Sequence, residues 1–92
     1  MKLVIVERTM PAPVTLEQLA GAASSGSSCF EAHRVRLLRS LLSLDGTRVL
    51  CEYEAPDAEA VRQANRKAGL TFDRVWTADV YEHHADTATQ LR

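Results

Sequence analysis

The sequence predicts an α+β domain with the element order β-α-β-β-α-β. Three observations carry that reading. Short runs rich in Val, Ile and Leu alternate with segments whose apolar residues recur at helical spacing. Asp45-Gly46 separates the second and third apolar runs, which is a strong hairpin signal. Capping residues and glycines mark where two helical segments begin and end.

Each element has its own warrant. Leu3 to Thr9, β-branched at Val4, Ile5 and Val6, reads as the first strand, and Pro11 and Pro13 stop it. Thr15 opens a helix, with Gln18 as its capping-box partner and Glu17 at the positive end of the helix dipole. Leu16, Leu19, Ala20 and Ala23 mark its apolar face. Ser24-Ser25-Gly26-Ser27-Ser28 is poor helix interior, so a break with a restart at Ser27 or Ser28 competes with continuity. The preferred expectation is one long helix from Leu16 to His33 with a weak centre. Arg34 to Leu44 forms the second strand, and Val49 to Tyr53 the third, antiparallel to it across Asp45-Gly46. Asp57 caps a helix over Ala58 to Ala68, Arg66 and Lys67 suit its negative end, and Gly69 follows as the C′ residue. Ala60, Val61, Ala64 and Ala68 are its buried stripe. Phe72 to Tyr81 is the fourth strand, within a single domain spanning 1–82. Residues 83–92 are expected to be a polar, frayed tail.

That order is the ferredoxin-like arrangement, a four-stranded antiparallel sheet with two helices on one face. Two helices cover one face only, yet Leu3 and Ile5 oppose Val4 and Val6 in parity, and the second strand has leucines on both parities. Both faces therefore need cover. A second copy is the expected cover, giving a homodimer that buries sheet against sheet as a dimeric α+β barrel.

Composition narrows the function. The 92 residues are 46% hydrophobic and 25% charged, which excludes wholesale disorder. Eleven Lys and Arg balance twelve Asp and Glu, which argues against nucleic acid and against a polybasic membrane anchor. No apolar run is long enough to span a membrane, and the short run at Leu3–Val6 reads as strand rather than signal peptide. Cys29 and Cys51 form no CxxC pair and are expected as free thiols in the cytoplasm.

The metal-ligating candidates are Cys29, His33, Cys51, His83 and His84. Cys29 and His33 lie four apart, on one face of a helix, and a thiolate with an imidazole suits zinc, nickel or copper. The competing reading packs Cys29 in the core and leaves His33 at the helix end. Cys51 shares the inward parity of Val49 and Tyr53, as a core thiol or one near a cavity. His83-His84 is an adjacent pair able to chelate weakly, or a solvated segment. Glu7 and Arg8 end the first strand on opposite faces, either with one of them inward at the mouth of a cavity or with both solvated, as most strand-end charges are. No GxSxG, HExxH or P-loop motif occurs, and no catalytic residue is assigned.

Several segments together carry a resemblance. They are Val6-Glu7-Arg8-Thr9, Cys51-Glu52-Tyr53-Glu54-Ala55-Pro56, Glu59-Ala60-Val61-Arg62 and Lys67-Ala68-Gly69-Leu70, with Ser43-Leu44-Asp45-Gly46 as a looser match. From Leu3 to Tyr81 the chain resembles the small ferredoxin-like domain-of-unknown-function family that includes a nickel-binding protein. The resemblance implies a dimeric ferredoxin-like fold with affinity for nickel or another divalent transition metal. Such families carry an aromatic-rich second strand, whereas Leu37-Leu38-Arg39-Ser40-Leu41 has no aromatic residue. The family's ligands do not transfer residue by residue, so the five metal candidates rest on their chemistry.

The leading reading is thus a small dimeric, nickel-type metal-binding protein, with enzymatic activity left open. One alternative is a protein-interaction or regulatory module using its sheet. Another is a cavity enzyme of the dimeric α+β barrel type, monooxygenase- or cyclase-like. In that case Trp76, Tyr53 and Phe72 would surround a small-molecule ligand, with His33 or Cys51 as the acid–base group.

Overall fold

The computed structural model of the chain describes residues 1–83. Seven elements follow in order: β1 (Lys2–Thr9), α1 (Leu16–Ser25), α2 (Ser27–Ala32), β2 (Arg36–Leu42), β3 (Arg48–Ala55), α3 (Ala58–Lys67) and β4 (Arg74–Ala78). The four strands form one antiparallel sheet in the order β2-β3-β1-β4, the ferredoxin-like order.

The pleat sorts the strands by parity. Val4, Val6 and Arg8 of β1 and Val49, Cys51, Tyr53 and Ala55 of β3 are buried on the helix side. They meet Phe30 of α2 and Val61 and Ala64 of α3 in one core, with Phe30 edge-on to Tyr53 at 5.5 Å between ring centres. Leu3, Ile5 and Glu7 face the other way, level with Leu50, Glu52 and Glu54. In β2 the register shifts between Leu37 and Arg39, a bulge that leaves Leu38 as the extra residue. This explains why its leucines read on both parities: Leu37 and Leu42 pair with inward residues Tyr53 and Val49, Leu41 with Leu50.

Asp45-Gly46 closes the hairpin as expected. Asp45 accepts from Ser43 Oγ and Thr47 Oγ1, both at 2.7 Å, and these bonds hold its carboxyl well below the usual range, at about 2. Gly46 has φ +78°, and an added Cβ would lie 2.8 Å from the Val14 carbonyl oxygen. The turn therefore needs glycine twice over, for its backbone and for the chain packed against it.

Two expectations are corrected. The single helix from Leu16 to His33 is two helices, parted at Gly26, so three helices rather than two cover the sheet. Gly26 lies where the end of α3 comes close: an added Cβ would sit 3.3 Å from Ala68 Cβ. The break re-aims the chain so that Phe30 enters the core. The fourth strand stops at Ala78 instead of Tyr81, and Val80 and Tyr81 are exposed. Its partner runs out: Ala78 pairs with Leu3, and β1 begins one residue before that. Of the polar tail expected from residue 83, only His83 is within the described residues.

The helix ends are built alike. Thr15 and Gln18 form the full capping box on α1, and Asp57 accepts from the Ala60 amide on α3. Both α2 and α3 close in a Schellman motif. After α2, the Arg34 and Val35 amides donate to the Glu31 and Phe30 carbonyls; after α3, those of Gly69 and Leu70 donate to Arg66 and Asn65. The left-handed residue is Gly69 in one and Arg34, φ 61°, in the other.

Candidate functional site

The candidate donors divide among separate places. Cys29 is half-buried on α2, and His33 is the half-buried residue that ends that helix. The His33 ring folds back along α2, and its Nδ1 lies 3.0 Å from the Cys29 carbonyl oxygen. A carbonyl only accepts, so Nδ1 carries the proton and Nε2 keeps its lone pair. This arrangement also orients metal-binding histidines elsewhere, where the second ring nitrogen is fixed by a backbone carbonyl. Cys51 is on β3, buried beneath α1, and accepts from Ser40 Oγ at 3.3 Å. His83 is exposed beyond β4, with its ring 6.5 Å from that of Tyr81, and His84 lies outside the described residues. Among the described residues, no three His, Cys, Asp or Glu side chains converge on one point. Both cysteines are free.

A second constellation lies under the helices. Arg8 shares the parity of Val4 and Val6 and enters the core side of the sheet, only 8% exposed. It donates to the Thr71 carbonyl at 2.7 Å, to Tyr53 Oη at 3.0 Å and to Asn65 Oδ1 at 2.6 Å. Asn65 is fully buried on α3, and its Nδ2 donates to the Val61 carbonyl at 2.8 Å. Burial pushes the Tyr53 phenol up to about 12, the adjacent guanidinium opposing that shift, so the phenol is neutral at physiological pH. Arg8 is therefore a buried cation whose three partners are all neutral.

Arg8, Tyr53 and Cys51 border a cavity of about 240 Å³ between α1 and the sheet. Its other walls are apolar, chiefly Leu19, Ala20 and Ala23 of α1 with Phe30, Leu37 and Leu70. Trp76, Phe72 and His33 are not among its walls. Trp76 instead lies on the open face, where its Nε1 donates to Glu7 Oε2 at 2.8 Å. Parity narrows the inward charge to Glu7 or Arg8, and the structure shows it is Arg8. Asn65 and Ser40 were not singled out, although Asn65 follows Ala64 and lies four residues after Val61, on the edge of the buried stripe.

On the open face the register sorts residues into blocks. Arg36 and Arg39 of β2 pair with Glu54 and Glu52 of β3 at 2.8 and 2.9 Å. Beside them lie Leu3 and Ile5 of β1 with Ala78 and Trp76 of β4. Toward the other end, Leu41 and Leu50 are apolar and Glu7 and Arg74 are charged. Among the described residues, no helix is long and apolar enough to cross a membrane.

Comparison with known proteins agrees with this geometry. No curated protein matches the chain. Among solved structures, that of SCO4226 from Streptomyces coelicolor A3(2) superposes with a TM-score of 0.78 at 19% identity, covering 87% of this chain and 99% of the other. At that identity the likeness establishes the shared fold. The model of the family described as nickel responsive protein SCO4226-like matches residues 5–77, from within β1 to within β4. The chain belongs to the SCO4226-like family of nickel responsive proteins.

Proposed function

We propose that the protein binds a nickel-type divalent ion through His33, in a site completed by donors from outside the described fold of one chain, and that it works as a homodimer. The observation that carries this reading is the Nδ1–H bond of His33 to the Cys29 carbonyl, which fixes the tautomer with Nε2 free to ligate. The nickel-responsive family supports the choice of ion. Cys29, four residues before His33 along α2, adds a thiol, and that donor pair suits nickel or zinc better than magnesium or calcium. Two donors are too few for a tight site. The His83-His84 pair and a second copy are the available sources of the rest. The free cysteines suit a reducing cytoplasm.

The open sheet face supports the dimer. Its blocks are diagonal: Leu3, Ile5, Trp76 and Ala78 lie across from Leu41 and Leu50, with charged blocks in the other two corners. A two-fold axis along the charged diagonal sets apolar on apolar and crosses the strands near a right angle, one of the two preferred sheet packings. This is the dimeric α+β barrel arrangement.

The test is elemental analysis of untagged protein incubated with nickel, with mass by light scattering on the same sample. Stoichiometric metal on a dimer, lost on His33→Ala, is the expected result. A metal-free dimer that takes up no added nickel would end the metal reading, and a strict monomer would end the dimer.

A further inference from the structure

We propose that the cavity beneath α1 binds a small monocarboxylate with an apolar body, its carboxylate held by Arg8. The argument starts from an unbalanced charge. Arg8 is buried, and among the described residues no carboxylate pairs with it. A guanidinium has five N–H donors, and the three bonds to Thr71, Tyr53 and Asn65 leave Nε–H and one Nη1–H without an acceptor there. A buried cation without a counter-charge is costly, and an incoming anion relieves that cost. Its neutral partners fix where the guanidinium sits without neutralising it, which is the preorganisation a carboxylate site needs.

The rest of the cavity selects the body of the ligand. Leu19, Ala20, Ala23, Phe30, Leu37 and Leu70 offer it apolar contact, and Ser40 and Cys51 are the small polar groups at the sheet. A volume of about 240 Å³ corresponds to about eight waters of liquid. That fits a short-chain or single-ring acid. The roof is suited to admit it, because α1 buries none of its residues and Leu16 is 67% exposed. A site with an apolar wall and one convergent charge is the usual form of a small-molecule pocket. The proposal is independent of the metal reading, since His33 does not border this cavity.

The experiment titrates isotope-labelled protein with hexanoate and, separately, with 1-hexanol, following backbone amide shifts. Hexanoate is expected to shift the amides of Ala20, Ala23, Cys51 and Tyr53 saturably, and to bind about tenfold or more tightly than the alcohol. Arg8→Gln is expected to abolish that preference. Ala20→Leu fills the roof from an unburied helix and is expected to weaken hexanoate by about tenfold in a folded protein, whether or not Arg8→Gln folds. Equal binding of acid and alcohol, unchanged amides at those four positions, or full affinity in Ala20→Leu would each overturn the proposal.

Discussion

Helices α1 and α3 are each ten residues long and each begins on a side-chain cap, yet they meet the sheet differently. Helix α1, Leu-Glu-Gln-Leu-Ala-Gly-Ala-Ala-Ser-Ser, is the more apolar yet has no fully buried residue, Leu19 alone packing half-buried against the core. Helix α3, Ala-Glu-Ala-Val-Arg-Gln-Ala-Asn-Arg-Lys, is mostly polar and buries Val61, Ala64 and Asn65. Caps and propensity therefore decide that a helix forms; the residues opposite decide whether it docks. Helix α3 lies against packed valines, a tyrosine and the Arg8 network. Helix α1 lies over a cavity. An apolar helix left largely exposed over a cavity is the feature on which the carboxylate proposal rests.

The sharpest way to break this comparison is to cut the α3 network. Asn65→Ala removes the shortest bond to a buried cation and is expected to cost about 2–3 kcal/mol in urea unfolding. Leu16→Ala on α1 is expected to fall within about 0.5 kcal/mol. Equal costs would mean that α1 docks as firmly as α3.

Enlarging one alanine in each helix sharpens the contrast. Ala64→Leu on α3 has no room and is expected to destabilise by about 1–3 kcal/mol. Ala20→Leu on α1 enters the cavity and is expected to change stability by no more than about 0.5 kcal/mol in the same assay.

The smallest effect concerns the two Schellman ends. Gly69→Ala puts a Cβ on a left-handed residue and is expected to cost about 1 kcal/mol. Arg34→Gly relieves the same strain at α2 but loosens the unfolded chain, for a net gain of about 0.5 kcal/mol in thermal unfolding. Two changes of the same sign would show that one of these ends is held by tertiary contacts rather than by its own backbone.

What the sequence disclosed was local. The capping box at Thr15, the Asp57 cap, the Asp45-Gly46 hairpin and the Gly69 stop are all decided within a few residues, and all are present. The break at Gly26 lies beside a close approach by Ala68, far along the chain, which no local pattern reveals. Val80 and Tyr81 continue the apolar pattern of β4, but its pairing with β1 ends at Ala78. The site followed the same division. Parity alone narrowed any inward charge to Glu7 or Arg8, whereas the His33 ring bond and the neutral company of Arg8 depend on three-dimensional placement.

The bulge at Leu38 has a bearing on how the protein behaves when crowded with copies of itself. Strand β2 is one outer edge of the sheet, and a regular edge is a template onto which a neighbour's strand can add without limit. Here the extra residue throws that edge out of register, and Arg36 and Arg39 set positive charge along it. The opposite edge, β4, is only five residues long. Lateral growth into fibres is thus discouraged on both sides.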